Sequence, residues 1–240
     1  MGDGVIIHPG RLRTVLAEVR EELDAAAGVA GRPAGSVQLV LAGKYIPTGE
    51  TPALVEAGVE VVGENTLQDL LARRALAEGR LTFDFIGHLQ RRKAKDVVPA
   101  VRLLHSLDSE RLAAEIAHRV EGPTRVLVEV NVAEEETKGG IVPARIGAFV
   151  EDVSVHPDLV IGGLMAMPPQ HADAELSRPY FAAARRLADD LASEWSGRHD
   201  FTDLSMGTSQ DYLVAAEEGA TMVRVGRGLL DRVRTPTPRG

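Results

Sequence analysis

The chain predicts an α/β fold: a single (β/α)8 barrel of the TIM type with an extra N-terminal helix. Three observations lead there. Short apolar runs of strand length alternate with helical patterns eight times in succession. From Val37 to Val233 the spacing averages about 25 residues per unit, enough for a strand, a helix and two short loops. No Gly/Pro/Ser-rich linker interrupts the series. Such alternation demands a parallel sheet with right-handed crossovers. The competing open sheet wants a glycine-rich nucleotide loop after its first strand, and Ala42-Gly43-Lys44-Tyr45 is not one.

The elements follow in order. A helix over 9–27 precedes the barrel. The strands are expected at 37–42, 59–63, 83–86, 102–106, 125–132, 159–165, 201–204 and 222–225. The helices that follow them are expected at 50–57, 67–78, 89–97, 109–119, 143–153, 174–194, 211–218 and 229–233. Residues 1–233 form the barrel, and 234–240, with two prolines, form a loose tail.

Composition narrows the function. With 44 % hydrophobic and 26 % charged residues, the chain can bury a sizeable core. A net charge of −8 argues against nucleic acid and anionic membranes as partners. The absence of cysteine excludes disulfides, thiolate metal sites and thiol catalysis. The longest apolar runs are strand-sized, and Met1-Gly2-Asp3-Gly4 begins no export signal, so a cytoplasmic protein is expected.

Barrel chemistry gathers at the C-terminal ends of the strands. Lys44 directly follows the first strand, where a partly desolvated amine would have a lowered pKa and condense with an aldehyde; a snorkelling surface lysine is the plainer alternative. Ser205–Ser209 and Gly226-Arg227-Gly228 precede the last two helices, where free N–H groups bind anions, although Ser209 could simply cap its helix. Arg224 should point into the barrel, paired with Glu64 or facing a ring nitrogen. His88 and His105 lie near strand ends without an evident carboxylate partner, and the remaining histidines, His199 among them, are expected at the surface. Tyr45 should alternate away from Lys44 if strand geometry persists. The basic run Arg91-Arg92-Lys93-Ala94-Lys95 is a solvated face or a contact for an acidic partner.

Together these residues resemble the pyridoxal phosphate homeostasis proteins (YggS/PROSC type), in collinear order over nearly the whole chain. The resemblance is carried by Gly31-Arg32-Pro33, Lys44, Gly63-Glu64-Asn65, Phe85-Ile86-Gly87-His88-Leu89-Gln90, Lys93 and His105-Ser106-Leu107-Asp108. It continues through Glu129-Val130-Asn131-Val132, Lys138-Gly139-Gly140, Gly163-Leu164-Met165-Ala166-Met167, Leu204-Ser205-Met206-Gly207, Ser209 and Val223-Arg224-Val225-Gly226. It implies a barrel similar to that of alanine racemase, with pyridoxal 5'-phosphate as cofactor, held on Lys44 as an internal aldimine. Asn65 and Met165 would lie beside the ring. Ser205, Ser209 and the backbone at Gly226 would hold the phosphate, and Arg224 would face the pyridine nitrogen. The chain departs from the family pattern at Arg227, where Thr or Ser is usual, at Arg92, and at Gly228-Leu229-Leu230-Asp231. Arg227 either contacts the phosphate with charge in place of a hydroxyl or swings out and weakens binding.

The resemblance implies a non-catalytic carrier that serves vitamin B6 homeostasis, with PLP-dependent apoenzymes as recipients. A small racemase is the alternative. It needs an acid/base partner across the ring from Lys44. Alanine racemases take a tyrosine from a second domain, and none of Tyr45, Tyr180 and Tyr212 is suitably placed by sequence. A cofactor-free Schiff-base aldolase is a third reading, and an interaction scaffold would instead expose an apolar patch. With no second domain expected, the chain reads as a monomer.

Overall fold

A computed structural model describes residues 6–135 and 138–234. Residues 235–240 of the expected tail and the N-terminal Met1-Gly2 lie outside the described residues. Eight parallel strands close into a barrel in sequence order. They are β1 Gln38–Ala42, β2 Val61–Glu64, β3 Thr82–Phe85, β4 Leu103–Leu107, β5 Thr124–Val130, β6 Leu159–Ala166, β7 Asp203–Thr208 and β8 Met222–Val225. Around them lie α2 Thr51–Ala57, α3 Leu67–Ala77, α4 Ala94–Val97, α5 Glu110–Ala117, α6 Ile146–Ser154, α7 Arg178–Glu194, α8 Tyr212–Glu217 and α9 Arg227–Arg234.

The extra helix α1, Pro9–Val29, buries Leu12, Val15, Leu16, Val19, Leu23 and Ala26, a stripe at three- and four-residue spacing. It packs on α8, α2 and α9, across the β8–β1 seam. Arg232 of α9 pairs with Glu18 (2.8 Å) and Glu22 (2.9 Å), and Tyr212 of α8 donates to Glu22.

Strand parity divides the core. Outward residues such as Leu41, Val62, Phe85 and Val223 pack against the helices. Inward residues Val40, Val61, Leu103, Leu127, Met165 and Met222 form a separate apolar cluster inside the barrel. Polar residues of the same parity complete the interior: Asp84, His105, Ser205 and Arg224 are all buried.

Boundaries that differ from the sequence expectation include those of β7, the third crossover helix and α9. Strand β7 runs to Thr208, so Ser205–Thr208 belong to the sheet and not to a loop. Gly207 at φ 89° bends this strand, and the register against β8 shifts between Ser205 and Thr208. The third crossover helix shrinks to Ala94–Val97, preceded by a 3-10 turn at Arg91–Lys93. Arg234 ends α9 and does not begin a tail.

One buried ion pair sets the first strand end. Arg73 of α3 and Glu64 of β2 are 1 % and 0 % exposed, with Nε donating to Oε1 at 2.6 Å. Arg73 also donates to the carbonyls of Gly43 (3.3 Å) and Ile46 (2.9 Å) and to Thr51 Oγ1 (3.2 Å). Burial pushes the Glu64 carboxyl up, and Arg73 pulls it back. Glu64 is therefore paired with Arg73 and not with Arg224.

His199 is buried at 3 % exposure, not at the surface. Its Nδ1 accepts from the Ile161 N–H (3.1 Å), so the ring proton sits on Nε2, which faces Ser154 Oγ at 2.9 Å. Among the described residues no helix is long and apolar enough to cross a membrane.

Two outcomes are expected. Arg73→Met leaves Glu64 buried without its partner and lowers unfolding free energy by about 3–5 kcal/mol in urea denaturation. Burial, with the charge of Arg198, lowers the His199 pKa to about 4 from its ordinary 6.5. Between those values the unfolded chain binds a proton that the native state refuses, so stability falls as pH drops through the window. His199→Gln should flatten that slope in urea midpoints measured against pH.

Candidate functional site

The C-terminal mouth gathers groups from all eight strands. At the end of β1 the chain leaves strand geometry at Ala42 and turns through a 3-10 segment, Gly43–Tyr45. Gly43 is required there, because a Cβ would run into the Glu64 carboxylate. The turn overrides the alternation expected of Tyr45. Its ring lies beneath the Lys44 ammonium, with Nζ 4.9 Å from the ring centroid. Lys44 itself is exposed, which matches the snorkelling alternative and not an amine set inside the mouth. No carboxylate pairs with it among the described residues.

β1 and β8 are neighbours, with Leu41 opposite Val225, which brings Gly226 and Arg227 beside the Lys44 turn. The exposed Arg227 guanidinium lies 5.2 Å from the same Tyr45 ring, so one aromatic side chain carries two cations. Gly226 is close to that ring: a Cβ would come within 2.7 Å of Tyr45 Cδ2.

Ser209 completes this corner. Its Oγ accepts from the N–H groups of Gly226 (3.1 Å) and Gly228 (3.1 Å). It therefore caps α9 from the preceding loop and not its own helix α8. Asp211 serves the loop before α8, accepting from the Thr208 N–H at 2.7 Å. Lys44, Ser209, Gly226 and Arg227 thus form one cationic, amide-rich corner of the mouth.

Ser205 does not join them. It is fully buried in β7, where its Oγ accepts from Arg224 Nη1 at 2.5 Å and lies 2.9 Å from His105 Nδ1. It is a strand position facing the barrel interior, apart from the Lys44–Arg227 corner. Met165 is 2 % exposed, in register with Ser205 on β7. Arg224 is 6 % exposed and donates to the Ser205 and Ala166 carbonyls at 2.8 and 3.1 Å. Burial lowers its pKa to about 10, so it stays charged at neutral pH.

Asn65 follows β2, and its Oδ1 is buried without a hydrogen-bond partner. Gly87 packs on it so tightly that a Cβ would come within 2.7 Å of the Asn65 carbonyl. An orphaned acceptor at the mouth is a place for a ligand.

The mouth also holds partners that are not evident in the sequence. His88 and His105 both have carboxylate partners: His88 lies 2.9 Å from Asp108, and His105 Nε2 lies 3.1 Å from Asp84. Glu129, inward on β5 opposite Met165, has its carboxyl pushed up by burial and by Asp108, with Arg224 and His88 opposing. The signal for Glu129 was its parity with Leu127; the partners of the two histidines lie 20 residues or more away in sequence. The basic run lines an open cleft of about 750 Å³ with Gln90, Glu115 and Arg119.

The comparisons place this architecture. The family model described as "Alanine racemase, N-terminal domain" matches residues 50–230, and the chain belongs to that class of barrel. The pyridoxal phosphate homeostasis protein of Aquifex aeolicus is 40 % identical over 215 residues, covering 88 % of this chain and 93 % of the relative. That of Pseudomonas aeruginosa is 34 % identical, covering 89 % and 92 %. PipY of Synechococcus elongatus, solved with PLP bound, superposes with a TM-score of 0.78 at 29 % identity, covering 91 % and 99 %. The chain is a member of the pyridoxal phosphate homeostasis protein family.

Gly226→Ala is expected to displace the Tyr45 ring and disorder the Lys44–Arg227 corner. Crystallography of the variant should find the ring moved by roughly an ångström, as opening a 2.7 Å approach of Cβ to Tyr45 Cδ2 to ordinary van der Waals contact requires. An unmoved ring would refute the packing described.

Proposed function

We propose that the protein binds pyridoxal 5'-phosphate at this mouth and acts in vitamin B6 homeostasis as a non-catalytic carrier. The observation that carries the reading is the Tyr45 corner. An exposed primary amine and an arginine share one ring, beside the two glycine N–H groups that Ser209 now occupies. An aldehyde needs the amine, and a phosphate needs the cations and the amides.

The residues fit the cofactor. Its aldehyde condenses reversibly with a primary amine, releasing water, which gives a covalent yet detachable hold. Lys44 Nζ supplies that amine. The N–H groups of Gly226 and Gly228, Ser209 Oγ and the Arg227 guanidinium would hold the phosphate. Where the resemblance implies a Thr or Ser hydroxyl, Arg227 offers charge, and its place on Tyr45 favours contact over a swing into solvent. Arg224 would donate to the ring nitrogen from below, Asn65 Oδ1 would take up a donor at the ring's edge, and Met165 would lie beneath it. Residues 1–233 would form this binding unit. Transfer to PLP-dependent apoenzymes, from a monomer in the cytoplasm, completes the proposal.

A racemase needs a second acid/base group for the α-proton. Glu129, with its raised pKa, is the candidate that favours this alternative. Both readings meet in one experiment. The protein is loaded with pyridoxal 5'-phosphate, reduced with borohydride and mapped by peptide mass. The label is expected on Lys44 and absent in Lys44→Ala; a label elsewhere would sink the site. L-alanine in D2O with the loaded protein is expected to keep its α-hydrogen, and rapid exchange would favour the racemase.

A further inference from the structure

A chain of buried hydrogen bonds crosses the barrel beneath the mouth. Arg224 donates to Ser205 Oγ (2.5 Å), Ser205 Oγ lies 2.9 Å from His105 Nδ1, and His105 Nε2 lies 3.1 Å from Asp84 Oδ2. Arg102 holds Asp84 from the far side, Nε to Oδ1 at 2.9 Å and Nη2 to Oδ2 at 2.6 Å. Ser205, His105 and Asp84 are all 0 % exposed.

Donor counting gives this chain a direction. Asp84 is an ionised carboxylate and only accepts, so His105 Nε2 carries the ring proton and donates it to Asp84. The neutral ring then accepts at Nδ1, from the Ser205 hydroxyl, whose oxygen accepts from Arg224 Nη1. The charge states agree: burial keeps His105 neutral, and hydrogen bonds from His105 and Arg102 hold Asp84 below its usual range against the upward push of burial. A reversed chain, with the neutral ring's proton on Nδ1, would leave the Asp84 carboxylate facing a bare His105 Nε2 with no hydrogen between two acceptors.

The chain fixes Arg224. Three of its hydrogens are committed, two on Nη1 to Ser205 and one on Nη2 to Ala166. Nε–H and the second Nη2–H remain for a ligand acceptor. The Ser205 contacts hold the guanidinium plane against rotation about Cδ–Nε. We propose that Ser205, His105 and Asp84 are positioning residues that act through Arg224, aiming its two uncommitted N–H groups at a ring nitrogen in the mouth. This rests on the reading that the cofactor's ring nitrogen faces Arg224.

A network that merely stabilised the fold would change unfolding free energy and leave ligand affinity alone. The test is a double-mutant cycle on the affinity for pyridoxal 5'-phosphate, titrated by absorbance, with urea stability measured alongside. Ser205→Ala, which removes one atom, and His105→Leu are each expected to raise Kd about tenfold, the effect of losing one hydrogen bond to a charged group. His105→Gln, whose amide retains one acceptor and one donor, should recover most of that loss. In an Arg224→Gln background, Ser205→Ala should change Kd by less than about twofold, because its route of action is gone. Equal losses in both backgrounds, or unchanged Kd with lowered stability alone, would overturn the proposal. Wild-type protein that binds no pyridoxal 5'-phosphate would defeat the functional reading and this proposal with it. Nitrogen NMR of the ligand-free protein gives an independent check: a neutral Nε2–H tautomer of His105 is expected, and an Nδ1–H tautomer would contradict the chain.

Discussion

Arg73 reaches from α3 beneath the end of β1 and takes four acceptors at once: the Glu64 carboxylate, Thr51 Oγ1 and the carbonyls of Gly43 and Ile46. A buried pair of this kind contributes little net stability, because desolvating both charges offsets their attraction. What it supplies is position. The two carbonyls bracket Lys44, so the turn that presents the amine is held from below. Gly43 is part of the same device, since a side chain there would displace Glu64. Everything at the corner follows from this turn: the Tyr45 ring under Lys44, the Arg227 guanidinium on that ring, and the close approach of Gly226.

The barrel puts polar groups where most barrels keep apolar ones. Its interior is apolar only in part, with Val40, Val61, Leu103, Leu127, Met165 and Met222. Above and between them run Asp84, His105, Ser205 and Arg224, each with a hydrogen-bond partner. A satisfied buried network tolerates little rearrangement, because each group that loses its partner meets the full desolvation cost. The mouth therefore stands on a stiff polar floor, while its rim carries exposed and mobile-stemmed cations, Lys44 and Arg227.

Much of this is legible in the sequence. Strand and helix alternate with little ambiguity because parallel strands buried on both faces read as β-branched runs, and seven of the eight strands fall within two residues of expectation at both ends. The exception, β7, carries Ser205-Met206-Gly207-Thr208, whose small and polar residues read as a loop. They are strand residues because inward positions of this barrel accept polar side chains. The same fact hides the partners of His105: Asp84 is an inward residue of the preceding strand, 21 residues away, and Ser205 is 100 residues away on β7. Lys44, Ser209, Gly226 and Arg227 are found by position alone, since all lie at strand ends. Tyr45 is misread because alternation holds only while the strand does, and the strand stops at Ala42.

The central claim is that one corner supplies both an amine and an anion site for a single small ligand. A crystal structure of the protein grown with pyridoxal 5'-phosphate tests it most directly. Expected is density continuous with Lys44 Nζ, a phosphate on the Gly226 and Gly228 N–H groups within reach of Arg227, and a ring nitrogen facing Arg224. A ligand bound elsewhere, or one whose phosphate avoids the Gly226–Gly228 amides, would contradict it.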